Sequence, residues 1–147
     1  MKSRHKAREI ALQILYQYDL TAFSGEKTPP QGRDLISDLQ HHYEHFTVPD
    51  TLREFVGQLV AGTLSELEKI DELLKTHAAN WKVPRMSSVD RSLLRMATYE
   101  MVFLKEVPES VVIDEAIELA KDFGTAETPA FINGILDSIK GAQPKQE

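Results

Sequence analysis

Apolar residues recur at helical spacing along almost the whole chain, no segment alternates with period two, and the β-branched residues fall inside the helical stripes. The fold class predicted is therefore all-α. About seven helices are expected, in two small packed bundles sharing a core. A length of 147 residues with 41% hydrophobic and 27% charged content suits that architecture.

The elements follow in order. Ala7, Ile10, Ala11, Ile14, Leu15 and Tyr18 form one buried stripe, which predicts a first helix over residues 4–20. A loop follows, where FSGEKTPPQG gathers Gly, Ser and paired prolines. Leu35, Ile36, Leu39, Tyr43 and Phe46 predict a second amphipathic helix. Pro49 suits the first turn of a long third helix that carries Leu52, Phe55, Val56, Leu59, Val60, Leu67, Ile70 and Leu74. Within it, Gly57 and Gly62 mark close packing or a bend.

A joint at residues 80–87 is the expected seam between the two bundles, and the lone Trp81 there is read as core. Ser87 with Asp90 three residues on predicts a capping box opening a helix through Leu93, Leu94, Ala97, Met101 and Leu104. Pro108 is expected to begin the next helix, with Val112, Ile113, Ala116, Leu119, Ala120 and Phe123 inward and Gly124 as a left-handed C-cap. Thr128 is expected to cap a last helix with Pro129 at its first position, burying Phe131, Ile132, Ile135 and Leu136. In domain terms, an N-terminal subdomain of about 1–80 joins a C-terminal one of about 81–141, with a frayed tail at 142–147.

Composition excludes several function classes. The absence of cysteine removes disulfide scaffolds, thiolate metal sites and cysteine nucleophiles, and fits a reducing cytoplasm. No apolar run approaches the roughly 20 residues that span a bilayer, so a cytoplasmic protein without membrane contact is expected. Phosphate-cradling glycine motifs are missing. His41, His42 and His45 read H-H-Y-E-H, which lacks the H-E-x-x-H pattern and reads as a solvated helix end. Acidic runs such as Asp114, Glu115 and Glu118 are spaced as helix surfaces. With no nucleophile, base or metal constellation, the expectation is a protein without catalytic residues, metal or cofactor.

Charge supplies the functional lead. The net charge is −6, yet Lys2, Arg4, Lys6 and Arg8 stand in residues 1–8 without an acid, and the remaining 139 residues hold 13 basic against 23 acidic. A basic head on an acidic body predicts a polyanion at one end and a basic protein elsewhere. Cations near a helix N-terminus oppose the macrodipole, so stability alone does not account for them. The plainer reading is a solubilising end whose long stems cover core edges. Arg91 and Arg95 share a helix face, and Asp90 with Arg91 reads as a helix-start ion pair or a surface for a partner.

Three ordered motifs add a resemblance. Residues 4–16 read R-H-K-A-R-E-I-A-L-Q-I-L-Y, residues 90–100 read D-R-S-L-L-R-M-A-T-Y-E, and residues 111–124 read V-V-I-D-E-A-I-E-L-A-K-D-F-G, followed by F-I-N-G-I-L. Together they resemble the NusB family of bacterial transcription antitermination factors over essentially the whole chain, with Asp114 standing where the family pattern has Asn. The resemblance implies a single helical domain that binds the boxA element of ribosomal RNA leader transcripts as a single strand. It also implies a partner, NusE, a small-subunit ribosomal protein, and assembly with other Nus factors on RNA polymerase. On that reading Lys2, Arg4, Lys6 and Arg8 neutralise phosphates, Gln13 reads a base edge, Phe131 stacks on a base or serves as core, and Lys121 adds a phosphate contact or only pairs with Glu118. Asp90 is assigned to the protein-partner face. The rival reading is an RNA-indifferent protein adaptor that forms a homodimer through its first helix.

Overall fold

The computed structural model describes residues 2–23, 32–78 and 82–144, with only the backbone at positions 2, 22 and 23. Among the described residues there are seven α-helices and no strand, which is the all-α fold expected. They are α1 (Lys2–Phe23), α2 (Arg33–His45), α3 (Asp50–Ser65), α4 (Leu67–His77), α5 (Ser88–Thr98), α6 (Glu109–Phe123) and α7 (Thr128–Ala142). A 3₁₀ turn at Val83–Arg85 precedes α5, and a π-helical stretch at Tyr99–Leu104 extends it. Most of the predicted Pro-rich loop, together with Trp81, lies outside the described residues.

The chain divides into two compact units, Met1–Glu66 and Leu67–Glu147. In the first, α1 packs along α3, and α2 lies on α3. Ala7, Ile10, Ala11, Ile14 and Leu15 are buried as their spacing predicted, opposite a core that includes Phe55, Val56, Leu59 and Val60. Each fully buried large aliphatic side chain contributes about 1.5–3 kcal/mol before chain entropy is subtracted. Two expectations for α2 need correction. Ile36 is 64% exposed, because Leu35, Leu39 and Tyr43 already fill the face that meets α3, and Phe46 is only half-buried at the helix end. Gly57 does mark a close approach: a Cβ there would stand 3.0 Å from the Tyr43 hydroxyl, which donates to the Arg53 carbonyl at 3.1 Å.

The long third helix is two helices. Ser65 Oγ donates to the Gly62 carbonyl at 3.1 Å, the same acceptor that Glu66 N uses at 3.0 Å. Such a side chain competes with the backbone ladder and bends it. Past the break α4 packs on α5 and α7. The Arg95 guanidinium grips the Asp71 carboxylate through two bonds of 2.9 Å, and His77 Nδ1 lies 2.8 Å from Ser138 Oγ. The division therefore falls at Glu66, well before the expected seam at residues 80–87.

Prolines 49 and 108 are N-caps, each one residue before its helix, where the missing N–H leaves no helical bond unmade. The Ser87 cap is present: its Oγ accepts from Asp90 N at 3.1 Å. The end of α6 differs from expectation. Phe123 is 37% exposed, and Gly124 is extended (φ −97°, ψ −167°), not left-handed. Close approach explains the glycine, since a Cβ would meet Thr128 atoms at 2.5–2.6 Å. Thr128 itself is the first residue of α7, Glu127 is its N-cap, and Pro129 follows inside the first turn.

Candidate nucleic-acid interface

The basic head is ordered by packing. No acid stands in the first turn of α1, so its cations sit at the positive end of the helix. An aromatic ring from α3 meets two of them. The Arg4 guanidinium lies 4.4 Å from the centroid of Phe55, and that of Arg8 lies 5.3 Å from the same ring. Four residues apart, the two arginines share a helix face, and the π-cloud of Phe55 offsets part of their mutual repulsion. Phe55 is buried. Arg4 is half-buried, while Arg8 is only 3% exposed. Of the arginines assigned to phosphate contact, Arg4 thus stands nearer solvent.

Glu9 organises the other side of the turn. It lies 3.3 Å from Lys6 Nζ and 3.5 Å from His5 Nε2. Lys6 remains an exposed cation, with 62% of its side chain accessible, and Gln13 is half-buried about two turns further on. The side chain of Lys2 lies outside the described residues. Further along α1, the Tyr18 hydroxyl donates to Asp38 of α2. The same carboxylate holds His42 at 3.3 Å. Of the three histidines, His41 and His45 are exposed and His42 is half-buried. His42 sits edge-on to Tyr18 and stacked with Phe46. The exposed His45 ring also lies edge-on to Phe46, at 5.0 Å between centroids, so two of the three touch that ring and His41 stands at the solvated helix end.

The remaining candidates belong to the second unit. A cleft of about 270 Å³ is lined by Arg85, Met86, Ser87, Asp90, Thr125 and Phe131, among others. One wall is fixed by Arg91, which is buried and donates to the carbonyls of Val83 (3.0 Å) and Met86 (2.7 Å). The other is fixed through Thr128, whose Oγ1 accepts from Thr125 N and donates to Asp90 Oδ1, both at 3.0 Å. Asp90 is therefore half-buried and engaged with α7, not a freely exposed acid at a helix start. Phe131, expected in the apolar stripe, is half-buried in the same cleft. Residues assigned to different partners, Asp90 and Phe131, thus line one cavity. Lys121 lies 3.3 Å from Glu118, with both side chains 59% exposed.

Sequence reasoning missed two contributors. Phe55 carried no signal beyond its place in an apolar stripe, and Thr128 was read as a cap when its hydroxyl bridges two elements. Among the described residues no helix is long and apolar enough to cross a membrane.

Comparison with known proteins places this architecture. The family model for NusB matches residues 5–140. The transcription antitermination protein NusB of Desulfatibacillum aliphaticivorans is 43% identical over 147 residues, covering all of this chain and 96% of the relative. That of Desulfitobacterium hafniense is 41% identical over 145 residues, covering 99% and 93%. Among solved structures, T. maritima NusB superposes with a TM-score of 0.76 at 34% identity, over 95% of this chain and 91% of the other. A structure of antitermination factors NusB and NusE in complex with dsRNA gives a TM-score of 0.81 at 25% identity, over 97% and 99%. With relatives matched from end to end and the same helical fold, the chain belongs to the NusB family.

Proposed function

We propose that this chain is a transcription antitermination factor of the cytoplasm that binds boxA RNA of ribosomal RNA leader transcripts together with NusE. Family membership along the whole chain is the observation that carries the reading. The solved relative in complex with NusE and RNA supports the choice of partners. Assembly with other Nus factors on RNA polymerase follows from the same function.

The mechanism is recognition without chemistry. Lys2, Arg4 and Lys6 supply phosphate contacts from the start of α1, with Arg8 behind Arg4, and Gln13 reads a base edge. In the second unit Phe131 offers its ring to a base, Lys121 adds a phosphate contact, and Asp90 presents the partner-facing acid in the same cleft. So few phosphate contacts on a chain of net charge −6 give weak affinity that falls with salt. NusE raises that affinity, and by linkage RNA tightens NusE binding equally.

The test is fluorescence anisotropy of a labelled single-stranded boxA RNA, a base-scrambled control and a duplex, titrated with the chain with and without NusE. Tightest binding to the boxA strand, strengthened by NusE, supports the reading. Equal binding of the scrambled strand reduces the basic head to a nonspecific patch. Absence of RNA binding even with NusE leaves a protein adaptor, whose self-association sedimentation then reads.

A further inference from the structure

We infer that Arg85 binds the phosphate of the nucleotide whose base the Phe131 cleft receives, from a turn that the buried Arg91 holds in place. The inference rests on the RNA-binding reading above and adds to it a cation outside the basic head.

Three observations carry it. Arg85 lines the cleft of about 270 Å³ together with Phe131, and it is exposed, with no ion pair or hydrogen bond to its side chain among the described residues. The two acids that line the cleft are engaged elsewhere: Asp90 Oδ1 accepts from Thr128 Oγ1 at 3.0 Å, and Glu127 Oε2 accepts from Thr125 Oγ1 at 3.2 Å. The backbone on either side of Arg85 is pinned. Arg91, 3% exposed, donates through Nη1 to the carbonyls of Val83 and Met86 at 3.0 and 2.7 Å, and the Arg85 N–H closes the turn on the Lys82 carbonyl at 2.8 Å.

The chemistry follows from how a guanidinium binds. Its planar fork matches two oxygens of one phosphate, and here its N–H donors are left for an incoming anion. The turn that carries it is already fixed, so binding orders only the side chain. The aromatic ring decides which anion suits the cleft. One nucleotide of a single strand brings a base for Phe131 and a phosphate for Arg85, whereas a partner's carboxylate would use the cation alone. Among the described residues lining the cleft, Arg85 is the one cation and it faces two carboxylates. Without it those acids would repel the strand.

The experiment titrates labelled single-stranded boxA RNA with the full chain and NusE over a salt series, and labelled NusE with the chain in the absence of RNA. Circular dichroism sets a temperature at which every variant is folded. Arg85→Gln is expected to weaken RNA binding about fivefold in decimolar salt and to lower the salt slope by about 0.7, one phosphate contact on a single strand. Arg85→Lys keeps the slope, since the charge remains, and loses part of the affinity with the second bond of the fork. Phe131→Leu weakens binding at constant slope. The double variant loses less than the product of the single losses, because both residues hold one nucleotide. Affinity of Arg85→Gln for NusE without RNA stays native. An unchanged salt slope in Arg85→Gln overturns the inference while leaving RNA binding intact. So does a loss of NusE affinity without RNA as large as the loss with it, which makes Arg85 a contact for a partner's carboxylate. Single losses that multiply in the double variant overturn the shared nucleotide. Absence of RNA binding by the native chain overturns the functional reading and this assignment with it.

Discussion

Replacing Gly124 with alanine tests how tightly the start of α7 is built. The backbone there, φ −97° and ψ −167°, suits any residue, so alanine adds no backbone strain and the cost is steric. The new Cβ would meet Thr128 Cβ and Oγ1 at 2.5 Å and Cγ2 at 2.6 Å. None of these is the end of a flexible chain, so Thr128 must move as a unit. Overpacking of this kind costs about 1–3 kcal/mol. Displacing the Thr128 hydroxyl from Thr125 N and Asp90 Oδ1 adds about 1 kcal/mol. For a chain of this size each kcal/mol lowers Tm by about 3 °C. The expected fall is thus about 6–12 °C by calorimetry or circular dichroism. Gly134→Ala in the middle of α7 is the control. A Cβ there meets nothing within 4 Å, so relief of glycine's helix penalty should raise Tm by about 2–3 °C. Equal shifts in the two variants would refute the claim that Gly124 is there for close approach.

Further outcomes follow from the same contacts. Lys6→Gln removes an exposed pair with Glu9 and should change stability by no more than about 0.5 kcal/mol, while lowering the RNA salt slope by about 0.7. Arg95→Met leaves Asp71 without its two-bond partner; since that carboxylate is about a third exposed, the loss should be about 1–2 kcal/mol, read by urea unfolding and a double-mutant cycle with Asp71→Asn. Tyr18 is held above its ordinary pKa of 10, first by burial and then by the Asp38 hydrogen bond and charge; burial raises Tyr43 too, against the lowering effect of Arg53. Above about pH 10 the unfolded phenols lose protons that the folded ones keep, so stability should be level below that pH and decline above it. Tyr18→Phe should flatten the decline.

Much of this molecule can be read from spacing, and the exceptions share a cause. Every helix was foreshadowed by an apolar stripe or a cap, because those signals act within a few residues. Ser87 does cap α5, and Ala7 through Leu15 do face the core. Where sequence reasoning failed, a contact that apolar spacing does not encode decided the outcome. Position 124 is glycine because Thr128 occupies the place of a Cβ, not because the backbone is left-handed. Ile36 faces solvent because three neighbours on α2 already fill its inner face. The third helix breaks where Ser65 takes a share of the Gly62 carbonyl, a local signal that the apolar stripe obscured. At the candidate site, the basic residues were visible as charge without an acid. Their ordering on Phe55 was not, since α1 and α3 meet only in the folded unit. Asp90 was read as a surface acid because its partner Thr128 lies on another helix.

The most direct test of the account is the affinity of the native chain for single-stranded boxA RNA, measured by anisotropy with and without NusE at two salt concentrations. Salt-sensitive binding that NusE strengthens and that base scrambling abolishes is the predicted result. Affinity that is indifferent to base order and to NusE would contradict it.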